Sequence, residues 1–129
     1  MVIADTSVWI AFFNRPHSVE KRTLDDLIDT DGVAVIGVIL TELLQGCRTQ
    51  KERDEVKETM LALPYIEMTQ PLWIRAGETS SALLRRGITL PIPDLIVAAV
   101  ALEHHFQVYS LDHDFQRITG LALYAPSTS

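Results

Sequence analysis

Four carboxylates, Asp5, Glu42, Asp94 and Asp112, each stand at the edge of an apolar run or inside one. Asp5 closes Val2-Ile3-Ala4, Glu42 lies within Val38-Ile39-Leu40-Thr41-Glu42-Leu43-Leu44, Asp94 opens Leu95-Ile96-Val97-Ala98-Ala99, and Asp112 follows Val108-Tyr109-Ser110. No Lys or Arg adjoins Asp5, Glu42 or Asp94 to neutralise it. Carboxylates gathered near apolar walls repel one another and resist desolvation. Hard divalent cations relieve both costs, because Mg²⁺ and Mn²⁺ prefer oxygen ligands. A pair of such ions about 3.5 to 4 Å apart is the usual arrangement for in-line phosphodiester hydrolysis.

Each acid also has a plainer reading. Asp5 and Asp94 could each cap a following helix, since Asp is favoured there. Glu42 could point to solvent. Asp112 or Asp114 could make an Asx turn after a strand, and that is the expected role of Asp114.

The elements that must position these acids alternate between strand and helix. That order predicts an α/β fold with a central, mainly parallel sheet, right-handed crossovers and strand ends gathered on one edge. Ligands bind beyond the carboxyl ends of such strands, where Asp5 and Asp112 fall. Strands are expected at Val2–Ala4, Val33–Ile36, Tyr65–Met68 at an edge, Val108–Ser110 and Leu121–Tyr124. Helices are expected over 7–13, 18–30 and 38–46. Thr49 and Glu52 have capping-box spacing for a helix reaching about Leu63. Thr69 precedes a long helix with Trp73, Ala76 and Leu83 turned inward, ending at Arg85-Arg86-Gly87. The helix after Asp94 is apolar nearly all round and therefore buried. Trp9, Phe12, Phe13 and Trp73 are read as core.

The chain of 129 residues fits one domain, expected over residues 1–125 with a frayed tail at 126–129. Cys47 is the single cysteine, which excludes an internal disulfide and a multi-cysteine zinc site. The histidines, His17, His104, His105 and His113, have no helical metal-ligand spacing, which argues against a zinc hydrolase. No apolar run approaches the ~20 residues that cross a bilayer, and no secretory signal pattern opens the chain, so a cytoplasmic protein is expected. Seventeen acids against eleven Lys and Arg give a formal charge of -6, which disfavours a polyanionic partner unless cations neutralise the acidic site.

Taken in order, these residues resemble a PIN-domain ribonuclease, specifically the VapC toxins of type II toxin–antitoxin pairs. The resemblance covers nearly the whole chain. It rests on Ile3-Ala4-Asp5-Thr6-Ser7 followed by Val8-Trp9-Ile10, on Val38 to Leu43 with the trailing Gly46, on Ile92-Pro93-Asp94-Leu95-Ile96-Val97-Ala98-Ala99, and on Ser110-Leu111-Asp112-His113-Asp114-Phe115. Ser110 stands where Thr is frequent.

The resemblance implies a PIN-like three-layer α/β/α sandwich. It implies that Asp5, Glu42, Asp94 and Asp112 hold one or two Mg²⁺ or Mn²⁺ ions that orient water for attack on RNA, leaving a 5′-phosphate and a 3′-hydroxyl. Thr6, Ser7, Ser110 and Asp114 would support those ligands from behind. The resemblance further implies a homodimer, held inactive by a small VapB-like antitoxin that blocks the acidic pocket with a basic side chain. Arg48, Lys51, Arg85 and Arg86 are candidate phosphate contacts. The alternative is a PIN-like module that binds RNA or protein without turnover. An aspartyl phosphatase would want a second Asp where Ser7 stands, and a receiver domain a Lys near Ser110.

Overall fold

A computed structural model describes residues 1–127; Thr128 and Ser129 of the expected tail lie outside the described residues. In chain order the elements are β1 (Val2–Ala4), α1 (Thr6–Asn14), α2 (Val19–Asp29), β2 (Val33–Ile36), α3 (Gly37–Gln45), α4 (Gln50–Leu61), β3 (Tyr65–Ile66), α5 (Gln70–Arg85), α6 (Ile92–His104) and β4 (Gln107–Tyr109), followed by a short 3₁₀ turn, His113–Arg117. The strands form one sheet in the order β3-β2-β1-β4, and every pair is parallel. Helices cover both faces, as a βαβ chain requires. β1 and β2 are buried throughout, which is why their sequences are continuously apolar rather than alternating.

The helix boundaries follow local chemistry. Ser18, Thr49 and Thr69 each accept a backbone N–H with the side-chain oxygen, opening α2, α4 and α5. The box at α4 is offset by one residue: Thr49 accepts from Glu52 N at 3.1 Å, but the Glu52 carboxylate reaches back to Arg48 N rather than to Thr49.

Three expectations change. The edge strand shrinks to Tyr65–Ile66, and Leu121–Tyr124 makes only a one-residue parallel bridge, Leu123 with Val108. Trp73 is 53% exposed, because the buried stripe of α5 runs Leu72, Ala76, Leu83. Ala76 and Leu83 are buried as expected, and only the first position differs, Leu72 in place of Trp73. Trp9, by contrast, is fully buried, with Phe12 packed edge-on at 5.2 Å.

Strand register positions the site. Val2, Ile3 and Ala4 lie opposite Gln107, Val108 and Tyr109, so β1 and β4 end together. Asp5 and Ser110, the next residue of each strand, are thereby neighbours, and Asp5 N donates to Tyr109 O at 2.9 Å. β2 ends at Ile36 on the same edge and runs directly into α3, which carries Glu42. Residues Leu95 to Ala101 of α6 are all buried, anchoring Asp94 in the first turn of that helix.

Candidate active site

Asp5 is the sole buried polar or charged residue among those described, at 7% exposure. It does cap α1, accepting from Val8 N at 3.3 Å. The cap uses only part of its hydrogen-bonding capacity. Ser7 Oγ donates to Oδ1, and Ser110 Oγ donates to Oδ2. Each serine also accepts a backbone N–H from the β4 loop: Leu111 N to Ser7 Oγ at 3.1 Å, Asp112 N to Ser110 Oγ at 2.9 Å. One carboxylate and two hydroxyls thus tie the end of β1 to the end of β4. Burial pushes the Asp5 carboxyl up, against the downward pull of Ser110, Ser7 and Val8.

Glu42 is half-buried on α3, and Thr6 Oγ1 donates to its Oε1 at 2.7 Å. The solvent-pointing reading does not hold. Asp94 stands in the third position of α6, where Pro91 is the N-cap, and its side chain makes no cap bond, so the capping reading fails too. Burial raises its carboxyl to about 6, and the negative fields of Asp112, Asp5, Glu42 and Asp114 push in the same direction. Acids from β1, α3, α6 and the β4 loop therefore share one electrostatic neighbourhood.

Asp112 is exposed and does what its plainer reading expected, accepting Asp114 N at 2.9 Å to open the 3₁₀ turn. Asp114 forms a loose pair with Arg117 at 3.8 Å. Among the described residues, no Lys or Arg forms an ion pair with Asp5, Glu42, Asp94 or Asp112. Arg48, Lys51, Arg85 and Arg86 are exposed. Nor do the described residues present a ready-made cage of three or more His, Cys, Asp or Glu side chains. The donor set nonetheless fits a hard divalent ion that keeps part of its water shell, since it is all oxygen and lacks any internal cation.

Beside Glu42 a groove runs between α1, α3 and α4, with Ile10, Phe13, Leu43 and Val56 supplying apolar walls and Glu52 and Glu55 two further carboxylates. In the sequence Glu52 is legible only as a capping-box residue, and Glu55 as part of an ordinary charged helix surface. The available signal was spacing: Glu52 lies one turn before Val56, and Glu55 three residues after Glu52.

Comparison with known proteins establishes the family and the fold. The PIN domain family model matches residues 2–121. Ribonuclease VapC21 of Mycobacterium tuberculosis is 42% identical over 104 residues, covering 78% of this chain and 75% of its own. Ribonuclease VapC11 of the same organism is 27% identical over 128 residues, covering 94% and 96%. In fold, the chain superimposes on VapBC2 from Rickettsia felis, solved bound to a promoter DNA fragment, with a TM-score of 0.83 at 20% identity, covering 98% of this chain and all of that one. It superimposes on M. tuberculosis VapC20, a sarcin-ricin loop cleaving toxin, with a TM-score of 0.72 at 21% identity over 98% of this chain. The chain belongs to the PIN-domain family, within its VapC ribonuclease branch.

Proposed function

We propose that this protein is the endoribonuclease toxin of a toxin–antitoxin pair, its residues 1–125 acting in the cytoplasm as one divalent-metal-dependent PIN domain. One observation carries the reading: the Asp94 carboxyl is driven to about 6 by burial and by Asp112, Asp5, Glu42 and Asp114, with no ion pair to any of the four acids of the site among the described residues. Such an arrangement is costly unless a cation joins it.

Asp5, Glu42 and Asp94 are the ligand carboxylates in this reading, with Asp112 as a fourth that must share its oxygens with the Asx turn. A Mg²⁺ or Mn²⁺ ion held by these carboxylates would supply Lewis-acid polarisation of the phosphodiester and a more acidic water. Ser7 and Ser110 hold both oxygens of Asp5 in one orientation, and Thr6 does the same for Glu42, so the ligands need little rearrangement on binding. Asp114 supports Asp112 through its backbone N–H.

The cognate antitoxin occupies the groove between α1, α3 and α4. Its apolar walls suit an amphipathic segment, and Glu42, Glu52 and Glu55 suit that segment's basic side chains. The active species is a homodimer.

The test is incubation of single-stranded RNA with the pure protein, with Mg²⁺, with Mn²⁺ and with chelator, repeated with Asp5→Asn. Metal-dependent cleavage lost in the variant supports the reading. Binding of RNA without cleavage in any metal points instead to a non-catalytic PIN-like module.

A further inference from the structure

We propose that the turn joining α5 to α6 carries the RNA strand on one flank of the acidic site, with Arg85 and Arg86 as contacts to two successive phosphates. This rests on the nuclease reading and names the surface that holds its substrate. The two helices run antiparallel: Arg75, early in α5, pairs with Glu103 at the end of α6, while Leu84 and Ile92 line one groove at the other end. The end of α5 therefore stands beside the start of α6, where Asp94 lies. Arg85 and Arg86 are thereby brought to the rim of the acidic site.

Charge singles out this turn. At a net -6, with four carboxylates at the reaction centre, the protein repels a polyanionic strand unless local cations hold it. Most basic side chains are already engaged. Lys21, Lys57, Arg75 and Arg117 are in ion pairs, Arg22 donates to the His17 carbonyl and Arg53 to Gln50. Arg48 and Lys51 stand with Glu52 at the start of α4, beside a groove that already carries Glu42, Glu52 and Glu55. Arg15 caps the far end of α1, a helix length from Asp5. By contrast, residues 79–93 contain no acid. Arg85 and Arg86 are both exposed and, among the described residues, in no ion pair.

The backbone fixes the turn in advance. Gly87 has a φ of 78°, and its N–H and that of Ile88 donate to Leu84 O and Leu83 O, both at 2.9 Å. This is the doubled bonding of a Schellman end, and buried Leu83 and Leu90 anchor it on either side. A turn already held has less to order when the strand binds. Adjacent residues of a helix project ~100° apart, so each guanidinium serves its own phosphate. Arg85 Nη2 lies 3.4 Å from Ser81 Oγ, a long hydrogen bond that a charge-assisted bond to phosphate displaces. A helix C-terminus favours basic side chains in any case, but a purely dipolar role would show in stability and not in the hold on RNA.

The experiment is cleavage of single-stranded RNA by the pure protein in Mg²⁺ at several KCl concentrations, with kcat and KM separated. The double variant Arg85→Ala, Arg86→Ala should raise KM at least ~10-fold on unrelated RNA sequences, leave kcat within about threefold, and flatten the dependence of KM on salt. Its melting temperature should stay near that of wild type, since both side chains are exposed. Arg85→Lys with Arg86→Lys, which keeps both charges, should recover most of the loss. Arg15→Ala with Arg22→Ala removes the same charge at the α1–α2 join and should leave KM unchanged. An unchanged KM and salt dependence in the first variant, or an equal rise in KM in the last, overturns the proposal and leaves the nuclease reading standing. A wild type that cuts no RNA overturns the nuclease reading itself, and the proposal with it.

Discussion

Ser110, 105 residues from Asp5 in the chain, donates its hydroxyl to the Asp5 carboxylate and with the same oxygen accepts the Asp112 N–H. The hydroxyl thus joins two acids that follow different strands, β1 and β4. Ser110→Ala should cost about 1–2 kcal/mol by leaving a buried carboxylate oxygen short of a donor. RNA cleavage should fall ~10–100-fold. Ser110→Thr should restore most of both. Chemical denaturation and cleavage rates, measured side by side, check the pair of effects.

Asp5 has a structural and a chemical duty, and substitution can part them. Asparagine is as good a helix cap as aspartate, so Asp5→Asn should keep the fold, seen by circular dichroism, while cleavage drops by ~10² or more. Asp5→Ala should lose the cap as well, with about 1 kcal/mol more destabilisation than Asn. Equal stability of the two variants would deny Asp5 its capping role.

For Asp94, the folded-state carboxyl sits at about 6 against an ordinary 3.8. Its contribution to stability is therefore fully present below about 3.8 and is lost as pH rises through about 6, because the folded state binds its proton more tightly than the unfolded chain does. In chelator, wild type should lose stability relative to Asp94→Asn between pH 4 and pH 7. Parallel melting curves across that window would contradict the crowding of charge at Asp94.

Added Mg²⁺ should reverse that loss at neutral pH. At a hundred times its dissociation constant a ligand adds about 2.7 kcal/mol, roughly 10 °C in melting temperature for a domain of this size. Asp94→Asn should blunt the rise, and an undiminished rise would remove Asp94 from the ion's ligands.

Thr6→Val keeps the shape of the side chain and deletes the donor to Glu42. Divalent-ion affinity, read by titration calorimetry, should weaken ~10-fold, with little change in stability at this half-buried position.

The acids were legible in sequence because each interrupts or bounds an apolar run, a local property that survives in one dimension. The same holds for the helices with Ser or Thr caps and for the wholly apolar β1, β2 and α6. What was not legible depended on neighbours distant in the chain. The sequence reading turns Trp73 inward with Ala76 and Leu83, yet the packing of α5 turns Leu72 inward and leaves Trp73 out. Asp112 makes an Asx turn and stands in the field of Asp94 at once, and only coordinates show that the two roles coexist.

By itself, then, the sequence determined the alternation of strands and helices and the set of carboxylates, because hydrophobic periodicity and charge are written residue by residue. Tertiary structure alone decided that Ala4 lies opposite Tyr109, which brings Ser110 to Asp5, and that Thr6 reaches Glu42. Strand register and helix docking are settled by packing of the whole core, and no local spacing encodes them.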